Sequence, residues 1–247
     1  MTKKKMIKEN LSEQFKNKII IITGSTQGSG AETAKLLASR GAKGITICGR
    51  NEKNGKKVKS EIESLGTECI YVKADLENLK DCKKIISQTD KKFGTVNTLI
   101  NSAAYTGRGT ILSTTQKEYE KMFNVNTRAP FFLMQDVIKI MIREKVKGTI
   151  AHVLSVAAYS GMPFLAAYSP SKAALGIMIK NVANAVSGHQ IRVNGINLGW
   201  TDTPAEHDIQ IRVHQKDPNW LKDQENKVPF NRLIKPIDVA KGLAFMC

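Results

Sequence analysis

Cysteine is scarce in this chain of 247 residues: there are four, Cys48, Cys69, Cys82 and Cys247, and no two lie close together. That spacing excludes a paired-cysteine zinc site, or any other metal site built on cysteine, and a disulfide framework. It suits reduced thiols in a cytoplasmic protein. Aromatic residues make up only 6% of the chain and are not interspersed with the basic ones, as a stacking nucleic-acid surface requires. No apolar run reaches the length of a membrane span. The N-terminal MTKKKMIKENLSEQF is charged but has no apolar core, so it is not a secretory signal. It reads as an extension over residues 1–17, either a disordered lead-in or an extra helix from about Ile7. Acids are the minority, 22 against 38 Lys and Arg, for a net charge of +16. The lysines are spread over NEKNGKKVKSEIES and KDCKKIISQTDKKFG, where they alternate with acids. Solvated helix faces explain them better than a nucleic-acid partner does, and neither nucleic acid nor a membrane is expected.

What is present is a regular alternation. Apolar strands are expected at Ile19–Ile22, Gly44–Gly49, Glu68–Asp75, Val96–Ala104, Gly148–Val156 and Ile191–Gly199. Helical stretches separate them, including a long run over residues 114–145 that Pro130 is placed to bend. No linker, low-complexity tract or short-period repeat interrupts the pattern. Strict strand–helix alternation with apolar strands predicts one doubly wound parallel β-sheet flanked by helices, an α/β domain over residues 18–247.

In such sheets ligands sit beyond the carboxyl ends of the strands. The first strand runs directly into Thr23-Gly24-Ser25-Thr26-Gln27-Gly28-Ser29-Gly30. Glycines there permit a tight turn and close approach of a ligand, and the free amides of the following helix can accept a phosphate. An ordinary strand-to-helix turn is the competing reading. Four other polar features fall at the same edge: Asp75, Asn101, Ser155 and the segment Gly199 to Thr203.

Tyr168 and Lys172 are four apart in a helical stretch and share a face, with Ser155 upstream at a strand end. A free tyrosine titrates near pH 10, and a neighbouring ammonium would lower that value. A serine hydroxyl can hold a substrate oxygen beside the phenol. The set suits proton transfer to or from an alcohol or carbonyl. A helix-surface pair is the alternative for the Tyr and Lys alone.

With these residues in place, the sequence resembles the short-chain dehydrogenase/reductase family from about Lys18 onward. The resemblance rests on the loop from Thr23 to Gly30, on Ser155, Tyr168 and Lys172 at the family's spacing, and on Asn126 in MFNVNTRAPFF. It implies a Rossmann-like fold of three αβα layers and an NAD(P)-dependent oxidoreductase, with a catalytically impaired nucleotide-binding or regulatory relative as the alternative. Tyr168 would be the general acid/base. Lys172 would lower its pKa and bind the nicotinamide ribose, Ser155 would orient the substrate oxygen, and Asn126 would hold a water linked to Lys172. The cofactor would be held by Gly24, Ser25, Thr26, Gln27, Gly28, Ser29, Gly30, Arg50, Asp75, Leu76, Asn101, Ser102, Ala103, Gly199, Thr201 and Thr203, together with Tyr168 and Lys172. The chain departs from the pattern at Ala104, where the family has glycine, and at Leu198, where it has proline. It also ends inside the last helix, one C-terminal strand short of the family's sheet. A homodimer or homotetramer is the expected assembly.

An acid after the second strand would favour NAD. This chain has Arg50 there, so NADP(H) is expected, with NAD(H) as the alternative. The substrate is expected to be a small alcohol or ketone, such as a sugar or polyol. Its pocket would be built from Tyr105 to Gly109, Val156 to Phe164, Trp200 and a lid from about Pro204 to Phe230, with Arg108, His207 and Asn219 as polar contacts. His152 falls on the other face of its strand and reads as structural.

Overall fold

The computed structural model describes residues 11–247. An extra helix starting near Ile7 lies mostly outside that range. Within it, Leu11–Glu13 form one 3-10 turn, and Phe15 is buried in the core beside two helices described below.

Six parallel strands form one sheet in the order β3-β2-β1-β4-β5-β6: β1 Ile19–Thr23, β2 Gly44–Gly49, β3 Glu68–Lys73, β4 Thr98–Asn101, β5 Thr149–Ser155 and β6 Arg192–Leu198. The chain builds outward from β1 to β3, then crosses back to place β4 on the other side of β1. Strand order therefore reverses between β1 and β4, and a crevice opens at their carboxyl ends.

The four isoleucines of β1 alternate between two cores. Ile21 packs with α3 (Leu79–Phe93), α5 (Ala129–Arg143) and α6 (Tyr168–Ala185). Ile20 and Ile22 pack on the opposite face with α1 (Gly28–Ser39), α2 (Glu52–Glu63) and α9 (Pro236–Met246). Both faces are covered, which is why the strands are apolar throughout and not alternating.

β3 and β4 are shorter than the apolar runs predicted, so Asp75 and Ala103 lie in loops. The helical run over residues 114–145 is interrupted. It consists of α4 (Gln116–Phe123), a π turn at Asn124–Arg128 and then α5. Pro130 has no N–H to offer the carbonyl of Asn126 four residues back, and the wider turn accommodates this. The segment after β6 holds two short helices, α7 (Pro204–Arg212) and α8 (Trp220–Glu225).

Candidate active site

A cleft of about 1230 Å³ opens at the carboxyl ends of the strands. Gly24, Thr26, Gln27, Gly28, Ser29 and Gly30 form one wall, with Arg50, Asp75 and Leu76 beyond the ends of β2 and β3. Ser102 and Ala103 lie after β4, and Gly199, Thr201 and Thr203 after β6. Ser155 and Tyr168 face the same space.

Backbone geometry explains the glycines. Gly24 has φ +63°, and a Cβ there would lie 2.7 Å from the Cα of Ala103. A Cβ on Gly30 would meet the carbonyl oxygen of Gly24. The loop thus folds onto the start of α1 with no room for a methyl. Gly30→Ala is expected to destabilise the fold by about 1–3 kcal/mol, the usual cost of overpacking. Urea unfolding measures this, and an unchanged midpoint would show that the loop can shift freely. The first turn of α1 carries no acid, and Gln27 makes no side-chain cap. Its leading amides are therefore left to a ligand or to water.

Four of the residues expected for catalysis or cofactor binding do not reach the cleft wall. Ser25 is fully buried: its hydroxyl donates to the Ile22 carbonyl at 2.6 Å and accepts from the Cys48 amide at 3.0 Å, stapling β1 to β2. Asn101 lies behind the wall, 3.4 Å from the Nδ1 of His152. Asn126 sits in the π turn with its amide bonded to two neighbours. Its Oδ1 accepts from the Tyr105 N–H at 2.8 Å, and its Nδ2 donates to the Tyr105 carbonyl at 2.9 Å and to the Ser171 hydroxyl at 3.0 Å. The side chain is thus a clamp on the loop after β4. Ser171 in turn donates to the Tyr168 carbonyl at 2.7 Å. The sequence reading passed over Ser171, although its i+3 spacing from Tyr168 carried the signal.

Lys172 is the fourth. It is buried, and its Nζ donates to the Val153 carbonyl at 2.8 Å. Burial drives its pKa down to about 8. The neighbouring His152 is also fully buried. Desolvation first, and the Lys172 charge second, push it down to about 3, so it is neutral at pH 7.

One expectation is corrected here. The Tyr168 pKa is raised, not lowered, because burial of the phenol is the largest influence. Hydrogen bonding from Ser155 and the charge of Arg108 draw it back down. Lys172 does not, because its ammonium is turned to a strand carbonyl. A raised value keeps the phenol protonated at neutral pH. Ser155 also accepts from the Ala157 N–H at 3.1 Å, which fixes its rotamer at the start of a short 3-10 turn.

The outer end of the cleft is formed by Arg108 and Trp200, and by Glu206 and Gln210 on α7. Glu206 accepts at one oxygen from Trp200 Nε1 at 2.9 Å and Gln210 Nε2 at 2.7 Å, and its other oxygen faces Arg108 at 3.7 Å. His207 and Asn219 are not in the wall. His207 turns away to Asp202 at 2.7 Å, and Asp202 is also paired with Lys235 at 3.0 Å. Glu206 and Gln210 were not singled out from sequence, since polar residues four apart on a short helix usually mark a solvated face.

The model for the short chain dehydrogenases matches residues 18–213 of this sequence. The chain belongs to the short chain dehydrogenase family. A galactitol 2-dehydrogenase of Agrobacterium fabrum is 30% identical over 237 residues, covering 94% of this chain and 90% of that protein. An NADP-dependent (R)-specific alcohol dehydrogenase of Lentilactobacillus kefiri is 30% identical over 233 residues, covering 93% and 89%. Among solved structures, an actinorhodin polyketide ketoreductase variant with NADPH superimposes with a TM-score of 0.86 at 22% identity, covering 93% of this chain and 90% of that one. That likeness extends to the fold of these dehydrogenases. Among the described residues no helix is long and apolar enough to cross a membrane.

Proposed function

We propose that this short chain dehydrogenase is an NADP(H)-dependent oxidoreductase acting on a small, polar alcohol or ketone. The observation that carries the reading is the convergence of Ser155 and Tyr168 on the cleft that the glycine loop lines.

The residues fit a dinucleotide. The cradle at Gly24 and Gly30 admits no side chain, the start of α1 carries no acid, and Arg50 is exposed at the end of β2 with no acid beside it in sequence. Gly24 through Gly30 would hold the pyrophosphate. Arg50 would take the ribose phosphate of NADP. Asp75 and Leu76 would lie along the adenine, and Ser102, Ala103, Thr201 and Thr203 along the nicotinamide half. When bound, the nicotinamide accepts or donates the hydride.

The protein's own groups manage the proton. In oxidation, the substrate's O–H proton would pass to Tyr168 in its phenolate form, which the raised pKa makes available only at high pH. In reduction, Tyr168 Oη gives its proton to the carbonyl oxygen. Its raised pKa keeps that proton available at neutral pH. Ser155 holds the same oxygen. The Asn126–Ser171 bridge fixes the first turn of α6, so that Tyr168 enters the cleft at a set angle.

Arg50→Asp tests the cofactor assignment. The ratio of kcat/KM with NADPH to that with NADH should fall at least about tenfold, since a charge-assisted contact is replaced by repulsion. An unmoved ratio would remove Arg50 as the discriminator.

A further inference from the structure

Lys216 is a half-buried cation without an acid. It lines the cleft from the segment between α7 and α8, and among the described residues its ammonium has no hydrogen-bond or ion-pair partner. The ammonium lies instead against two indoles, 5.3 Å from the centre of the Trp200 ring and 5.6 Å from that of Trp220. The two rings are stacked with centroids 5.7 Å apart, and Trp220 is buried behind Trp200. The Lys216 backbone N–H is held on the Gln210 carbonyl at 3.0 Å. Indole faces attract an ammonium but take none of its three N–H donors as an acceptor oxygen would. The cation is therefore placed, and its donors are left for a ligand or for water.

Charge at this end of the cleft does not balance. The other titratable groups in the wall there are Arg108, Glu206 and His214. Arg108 and Glu206 face each other at 3.7 Å and offset one another. His214 is held below its ordinary pKa, by burial first and then by the charges of Arg108 and Lys216, and is neutral at pH 7. Lys216 is left as one uncompensated positive charge. Glu206 is bonded to the same Trp200 indole at 2.9 Å, so a dianionic phosphate ester would be repelled where a single negative charge is accepted. A carboxylate meets that condition. Strand register sets the distance to the chemistry. Ser155 is paired with Leu198, and Trp200 follows two residues later. With strands about 4.8 Å apart and successive Cα atoms about 3.8 Å apart, the Trp200 Cα lies within about 12 Å of that of Ser155. Ser155, Tyr168, Trp200 and Lys216 all line the one cleft, so a short carbon chain spans from the reacting oxygen to the ammonium.

We infer that Lys216, carried on the Trp200–Trp220 stack, is a recognition residue for a carboxylate on the substrate, which makes the substrate an oxo acid or hydroxy acid whose carboxylate is separated from the reacting carbon by one or more carbons. The inference rests on the oxidoreductase reading and narrows its substrate.

The test compares acetoacetate and levulinate with their methyl esters, which keep the ketone and remove the charge. Each is assayed for reduction with NADPH and with NADH. Each is also titrated against tryptophan fluorescence, because an anion that draws the ammonium off the indoles changes their emission. Wild-type kcat/KM should favour the acid over its ester by about tenfold or more at one or both chain lengths, the scale of a charge-assisted hydrogen bond. In Lys216→Met that preference should fall at least about tenfold, mainly through the KM for the acid, while Lys216→Arg should keep most of it. Esters used as well as acids by the wild type, or a preference unmoved in Lys216→Met, would each overturn the inference. A preference lost as fully in Lys216→Arg as in Lys216→Met would make the effect one of packing and would overturn it too. If no probe is turned over with either nucleotide, the oxidoreductase reading is what fails. A saturable fluorescence change with the acids alone, lost in Lys216→Met and kept in Lys216→Arg, would then still support the carboxylate site, and no change, or an equal change with the esters, would refute it.

Discussion

Tyr168→Phe is expected to lower kcat by about 10³-fold while leaving nucleotide binding within about twofold of wild type. The substitution removes one oxygen from a half-buried ring and leaves its packing intact. Ser171 bonds the backbone of Tyr168, not its phenol, so the start of α6 should keep its place. What is lost is the proton given to, or taken from, the substrate oxygen. The raised pKa of Tyr168 makes this loss largest in reduction near neutral pH, where the phenol is the proton donor. Steady-state kinetics and a nucleotide titration on the same preparation separate the two effects. Turnover within tenfold of wild type would remove Tyr168 from the acid/base role.

Lys172→Met should leave a mark on stability that is read apart from turnover. The folded-state pKa of Lys172 is about 8, below the ordinary 10.5, because burial penalises the ammonium. Between those values the unfolded chain binds more protons than the folded one. This side chain therefore adds stability as pH rises from 8 to 10.5, and its cost is fully present below pH 8. The gain amounts to up to about 3 kcal/mol. Buried thiols such as Cys48, pushed up to about 12 by desolvation, pull the opposite way over the same range, but they are common to both proteins. The difference in stability between wild type and Lys172→Met, followed by urea unfolding across that window, isolates the lysine. It should grow in favour of wild type with rising pH. A flat difference would mean that Lys172 is not desolvated.

The sheet was legible because its signal is local. Ile19–Ile22 are apolar since both faces of β1 are covered, and the same holds for Ile45, Ile47, Leu99 and Ile150. The cleft edge was legible because a parallel sheet places every strand's carboxyl end on one side. The buried supports were not. Nothing in the order of residues shows that Ser25 spends its hydroxyl on Ile22 and Cys48, or that the Asn126 amide closes on Tyr105 and Ser171. Those are tertiary hydrogen bonds, and sequence reports only that such groups must find partners. The direction of the Tyr168 shift was missed for a related reason. Tyr-x-x-x-Lys puts two side chains on one helix face, but not their end groups in contact, and the Lys172 ammonium turns to Val153. Of the polar residues expected at the substrate pocket, Arg108 lines the cleft, whereas His207 points to Asp202 and Glu206 takes a place in the wall.

The central claim is that the cleft lined by Gly24 to Gly30 holds a nicotinamide dinucleotide. Titrating the purified chain with NADPH and, in parallel, with NADH, and following nicotinamide fluorescence, tests it most directly. The account predicts saturable binding, with NADPH the tighter of the two. A chain that is folded by circular dichroism and binds neither nucleotide would contradict it.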